Sequence, residues 1–290
     1  MNLFTSPFTF ARRELELEEA EYAVFGVPFD SSETFRGGSR EAPAAIREAS
    51  REVEDYDLLE DFDLLSLKIA DIGDVEVSFG NVKETKTRVK ETVAEILSRG
   101  AKPVILGGEH TISAFALEGF KKKPFFLSLD AHLDFREDYL GNRYSHACTL
   151  KRVSEITGKD NVLAVGVRSA CREELDAVRE EGIKFIPFGE CYDIEMLVAR
   201  LSKMLKGKKV YMSIDMDFFD PKDARGVCNP EPPGIFFFDF ILMLAFLGEI
   251  DLAGLDITEV APRYDSYTPV LASKIIFKVL AKYHRLKKMV

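Results

Sequence analysis

The 290-residue sequence has no glutamine, no tryptophan and only five asparagines. Loss of thermolabile amides beside abundant Lys and Glu suggests a thermophilic source. No run of about 18 or more apolar residues occurs, so no membrane-spanning helix is expected. Met1 to Arg13 lacks the charged, apolar and small-residue order of a signal peptide, and a cytoplasmic protein is expected. Cysteine is scarce: Cys148, Cys171, Cys191 and Cys228, with no C-x-x-C pair. That excludes zinc-finger and thioredoxin readings and leaves reduced, partly buried thiols. Neither G-x-G-x-x-G nor G-x-x-x-x-G-K-[ST] is present, so Gly37-Gly38 and Gly107-Gly108 read as tight turns, not phosphate cradles. Positive charge is also short. With 39 Lys and Arg against 49 Asp and Glu, the net charge of −10 repels phosphate backbones and excludes nucleic acid as a partner. It suits cationic substrates and metal ions.

What is there is 46% hydrophobic, enough for a sizeable core and too apolar for a disordered chain. Short apolar runs read as strands at Tyr22–Val27, Lys68–Ile72, Pro103–Leu106, Phe125–Asp130, Val162–Val167, Lys184–Pro187, Val210–Asp215 and Leu252–Ile257. Amphipathic stretches at Pro43–Asp55, Val82–Ser98, Glu173–Glu181, Ile194–Leu205 and Pro269–His284 read as helices. No repeat or linker divides the chain. The expected fold is therefore α/β, one domain over residues 1–290, in three α/β/α layers around a mostly parallel sheet of about eight strands. Its function should sit in loops at the carboxyl ends of the strands.

Only four histidines occur. His284, beside Arg285, Lys287 and Lys288, reads as a surface residue. The other three sit at or beside strand ends. His110 closes Gly107-Gly-Glu-His110. His132 stands in Asp130-Ala-His-Leu-Asp134, and His146 follows twelve residues later. At a frayed strand end, positions i, i+2 and i+4 point to one side, which would converge Asp130, His132 and Asp134. Val210–Asp217 repeats the device with Asp215 and Asp217. Four carboxylates in one small volume repel each other unless cations offset them. Two divalent ions would do so and would make a water acidic enough to attack near neutral pH. Oxygen and nitrogen donors without sulfur favour manganese, two ions per chain, over structural zinc. Asp220-Pro221 reads as a turn or cap instead.

These motifs resemble the ureohydrolase family, which includes arginase and agmatinase, over nearly the whole chain. The quoted site motifs are joined by Gly26-Val-Pro-Phe-Asp30, Arg36–Arg47 and Asp256-Ile-Thr-Glu-Val-Ala-Pro262. The resemblance implies an arginase-like fold and a trimer or hexamer. It assigns His110, Asp130, Asp134 and Asp215 to one metal, and His132, Asp130, Asp215 and Asp217 to the other. By the same resemblance, Asp134 orients the attacking hydroxide and His146 is the mobile acid or proton shuttle. Glu259 pairs with the substrate guanidinium. An apolar, Phe-rich run at Ile235–Leu247 reads as a buried helix or strand, or as part of an interface.

Within that family the sequence looks most like agmatinase. Arginases usually carry Asn where Arg136 stands, and aspartates where Ser169 and Cys171 stand; the Phe135–His146 segment looks agmatinase-like. Ala147, Ala42-Pro43 and Gly226–Gly234 depart from the family's usual pattern without touching a ligand position. The expected reaction is hydrolysis of agmatine to putrescine and urea. Guanidinobutyrase, arginase or formimidoylglutamase activity are the alternatives within the class. A mononuclear zinc amide deacylase would need fewer acidic ligands, and a silent metal-binding homologue would not need His146 and Glu259.

Overall fold

In the computed structural model, residues 8–59, 61–248 and 250–289 are described; Met1–Pro7, on which half of the leader reading rests, lie outside them. Eight strands form one parallel sheet: β1 (Tyr22–Gly26), β2 (Ile69–Asp74), β3 (Lys102–Leu106), β4 (Phe125–Leu129), β5 (Val162–Val167), β6 (Lys184–Pro187), β7 (Lys209–Asp215) and β8 (Asp251–Thr258). Their order is β2-β1-β3-β8-β7-β4-β5-β6. Every expected strand is present, with ends moved by at most two residues. The sheet is parallel because its strands are apolar on both faces and each returns through a crossover. In β1, Tyr22 and Val24 enter one apolar cluster while Ala23 and Phe25 enter the other.

Helices cover both faces. On one lie α1 (Ala42–Ser50), α6 (Ile194–Leu205), α7 (Phe237–Phe246) and α8 (Tyr267–Met289); on the other lie α2 (Val82–Ser98), α3 (Ile112–Glu118), α4 (Thr149–Thr157) and α5 (Arg172–Glu181). The Phe-rich run is helix α7. Phe240, Met243 and Leu244 are buried, while Phe238 and Phe246 remain 69% and 70% exposed, so burial explains only one side of it. The early signature also has a structural job: buried Arg47 of α1 bonds Asp71 at 2.8 Å and Asp74 at 2.6 Å, tying the helix to β2.

One expectation needs correction. His284 is buried, not on the surface: Nδ1 lies 2.8 Å from Glu21 Oε2 and the ring meets Phe62 edge-on. Gly107 and Gly108 have no left-handed backbone. A Cβ on Gly108 would lie 2.0 Å from the Phe29 carbonyl oxygen, so glycine is there to let two backbones touch. Among the described residues no helix is long and apolar enough to cross a membrane.

Candidate metal centre and active site

Strands β3, β8, β7 and β4 are neighbours at the middle of the sheet, although β3 and β4 are consecutive in the chain. The last two strands fill the gap between them. This is where the connections diverge, and parallel sheets open a crevice there beyond their carboxyl ends. All the expected site residues gather in it. His110 follows β3, Asp130 to Asp134 follow β4, Asp215 ends β7 with Asp217 just beyond, and Glu259 follows β8.

The convergence is not made by strand pleating, as the spacing suggested. β4 stops at Leu129, Asp130 Oδ1 accepts a 2.6 Å bond from the His132 amide, and Asp134 has φ +50°. Asp215 Oδ1 likewise accepts from the Asp217 amide at 2.9 Å and opens a short 3-10 turn. Each aspartate thus caps a turn with one oxygen and offers the other to the site. Glu259 also has a left-handed backbone, φ +62°. For non-glycine residues such backbone costs about 1–3 kcal/mol, and it collects where function holds it.

His110 Nδ1 lies 3.1, 3.2 and 3.4 Å from Oδ2 of Asp130, Asp134 and Asp215. His132 Nδ1 lies 2.8 Å from Asp217 Oδ2 and 3.9 Å from Asp130 Oδ1. Two groups in this cluster could hold an ion, His110–Asp130–Asp134 and Asp130–His132–Asp217, with Asp130 common to both. Donors about 2.1 Å from one ion stand roughly 3 Å apart when adjacent, which matches this spacing.

The tautomer of His110 fits as well. Ser213 Oγ donates to Asp256 Oδ1 at 2.5 Å, and Tyr211 donates to Asp256 Oδ2 at 2.8 Å. Ser213 Oγ therefore accepts from His110 Nε2, 3.0 Å away, leaving the Nδ1 lone pair toward the carboxylates. That Nδ1 is buried and makes no hydrogen bond. Ser213 and Asp256 carry no signal of this role in the sequence; the fold brings them behind His110.

The electrostatics ask for cations. Burial, then Asp130, raises the Asp134 carboxyl to about 7. Burial, then Asp217 and Asp130, drives Asp215 well above the usual carboxylate range. Burial opposes charge on His132, but Asp217 and Asp130 outweigh it and raise the imidazole to about 10. Without metal, protons are drawn in to do a metal's work.

His146 lies across the cleft in a 3-10 turn, 8% exposed, with Nδ1 3.2 Å from Ser32 Oγ and its ring edge-on to Tyr139. Burial, then His132 and His110, lowers it to about 4, so it is neutral at pH 7. Glu259 Oε1 accepts from the His110 amide at 2.6 Å, whereas its buried Oε2 accepts no hydrogen bond. Glu109 is a buried carboxylate that sequence reasoning passed over: Oε2 accepts from the Ser32 amide at 2.6 Å, bracing the loop beneath His146. A lone Glu in a Gly-rich turn gave no sign of that.

The cleft holds about 200 Å³ and is lined by Asp134, His146, Glu259, Arg136, Ser169 and Cys171 among others. Arg136 does not stand free in it. Its guanidinium is 3.6 Å from Glu174 Oε2 and lies over the Tyr139 ring.

A profile of the Arginase family matches residues 20–281. The chain belongs to the Arginase family. Its relatives include an N(1)-aminopropylagmatine ureohydrolase of Thermococcus kodakarensis, 36% identical over 93% of this chain and 94% of that one. An agmatinase of Bacillus anthracis is 35% identical over the same shares. The agmatine ureohydrolase of Thermoplasma volcanium superposes with a TM-score of 0.92 at 34% identity, over 99% of this chain and 97% of that one. The expected arginase-like fold is present, and membership makes this Arginase-family chain a hydrolase acting on a guanidino C–N bond.

Proposed function

We propose that this enzyme hydrolyses agmatine to putrescine and urea with two manganese ions. His110, Asp130, Asp134 and Asp215 would hold one ion, and His132, Asp130, Asp215 and Asp217 the other. The observation that carries this is Asp130 standing in both ion-holding groups, beside a buried Glu259 oxygen with no partner. Mixed oxygen and nitrogen donors favour manganese over ions that prefer sulfur. When bound, the two ions make water acidic enough to attack a carbon that guanidinium resonance protects.

The chain's own residues do the rest. Glu259 Oε2 accepts the guanidinium N–H groups and fixes its carbon over the aspartates. Asp134 orients the attacking water. His146, neutral at rest and anchored through Nδ1 to Ser32, takes a proton at Nε2 and delivers it to the leaving nitrogen. Guanidinium plus water thereby gives urea and a protonated amine.

The remote end of the cleft decides the substrate. Arg136 already faces Glu174 and Tyr139, so an α-carboxylate finds no uncommitted cation there, and Ser169 and Cys171 offer no carboxylate to an α-amino group. Urea release from agmatine, N(1)-aminopropylagmatine, guanidinobutyrate and arginine tests the assignment. Agmatine should lead, and release from none of them would refute it. We also propose a cytoplasmic homo-oligomer, supported by four thiols free of disulfides and by the exposed Phe238 and Phe246.

A further inference from the structure

Beside the six-residue cluster stands a second group. Glu33 comes from the loop after β1, Cys228 from the loop after β7, and Glu259 from the end of β8. One donor atom from each lies within 4.8 Å of the others. Cys228 is fully buried, with Sγ 3.3 Å from Glu33 Oε1. Every donor to Glu33 is neutral: the Gly38 amide at 2.8 Å, the Ser39 amide at 3.2 Å, the Ser39 hydroxyl and the Cys228 thiol. Glu259 contributes the buried oxygen that accepts no hydrogen bond. Two carboxylates share this pocket, and among the described residues no basic side chain is bonded to either.

We propose that Glu33, Cys228 and Glu259 form a third cation site, distinct from the binuclear cluster, which takes a zinc-like divalent ion and so blocks the substrate guanidinium. The donor set separates the two sites. The binuclear cluster offers only oxygen and nitrogen, whereas this one adds sulfur, which selects zinc or cadmium over manganese. Zinc bonds of about 2.3 Å to sulfur and 2.0–2.2 Å to oxygen place adjacent donors roughly 3.5 Å apart. The 3.3 Å between Cys228 Sγ and Glu33 Oε1 already meets that. Three protein donors leave a fourth position for water. The site is reachable, since Thr34 and Asn229, chain neighbours of Glu33 and Cys228, line the cleft with Glu259. On binding, the thiol and any protonated carboxyl release their protons to solvent as the metal–sulfur and metal–oxygen bonds form.

The blocking half of the proposal rests on Glu259 as guanidinium anchor; the binding half does not. Manganese-loaded enzyme is dialysed against limiting zinc or cadmium, and metal content is measured with the ultraviolet thiolate-to-cadmium band. Wild type should gain a third ion and the band. Cys228→Ser should keep its manganese, lose the band, and bind zinc about 10- to 100-fold more weakly. Glu33→Gln, which leaves the thiol in place, should weaken zinc in the same direction. In assays, zinc should raise the apparent KM for agmatine with little change in kcat, and far less so in Cys228→Ser. No third ion, or a band that survives Cys228→Ser, overturns the site. Equal inhibition of wild type and Cys228→Ser overturns the blocking, because zinc would then act by displacing manganese. A third ion with the band but with inhibition indifferent to substrate leaves the site standing and overturns Glu259 as anchor.

Discussion

The floor and the rim of the cleft are built on different principles. On the floor, His110, Asp130, Asp134, Asp215 and Asp217 are all under 10% exposed; Asp130, Asp215 and Asp217 each accept a backbone amide, and Ser213 stands behind His110. At the rim, Arg136 and Cys171 are partly exposed, and the Arg136 side chain rests on a 3.6 Å ion pair and a ring contact. Crowded buried charge leaves the floor one solution, positive ions. The rim faces water, where polar contacts exchange at little cost and many arrangements serve. Metal binding is therefore expected of the floor and substrate choice of the rim.

The sharpest way to break that division is His146→Ala. It should keep both metals and lose about 10²- to 10⁴-fold in kcat. Metal loss in that variant would make His146 part of the floor. Next, Glu259→Gln removes a charged acceptor worth about 1.5–3 kcal/mol, so kcat/KM for agmatine should fall roughly 10- to 100-fold. At the rim, agmatine should exceed arginine by at least about tenfold in kcat/KM, since the zwitterion leaves polar groups unpaired. Steady-state kinetics at saturating manganese decide both, and equal turnover of arginine would move the substrate assignment to arginase.

The smallest effect is on stability. In metal-free protein Asp134 is raised from 3.8 to about 7, so between those values the folded state holds a proton that the unfolded chain has lost. Stability contributed there falls as pH rises through that window. His132, raised from 6.5 to about 10, acts in the same direction: its contribution is full below pH 6.5 and is lost as pH climbs toward 10. Thermal melts should show chelated protein losing stability from pH 5 to pH 9 more steeply than metal-loaded protein. Parallel slopes would contradict the cluster's charge account.

Legibility followed the same boundary between enforced and optional structure. The six inner strands could be read because both of their faces are buried, which leaves continuous apolar runs, and the edge strands at Ile69–Asp74 and Lys184–Pro187 because each keeps a short apolar stretch. Helices α3 and α4 could not. Six of the seven residues of α3 are buried, erasing any periodicity, and α4 buries Thr149, Arg152, Ser154 and Thr157, which read as polar. The six cluster residues were visible in their motifs, but their convergence was attributed to strand pleating when Asp-capped turns and a left-handed Asp134 produce it. His284 sits among basic residues in sequence and finds its partner, Glu21, at the other end of the chain. Glu33 gave no signal at all; its meaning depends on Cys228, 195 residues away.

The central claim is that two ions share carboxylates, Asp130 foremost, which stands in both ion-holding groups. Elemental analysis of manganese-saturated wild type, Asp130→Asn, His110→Ala and His132→Ala tests it most directly. Two ions per chain are expected in wild type, about one in each histidine variant, and loss of both in Asp130→Asn with loss of urea release. An Asp130→Asn protein that keeps two ions, or a metal-free wild type that releases urea, would contradict the account.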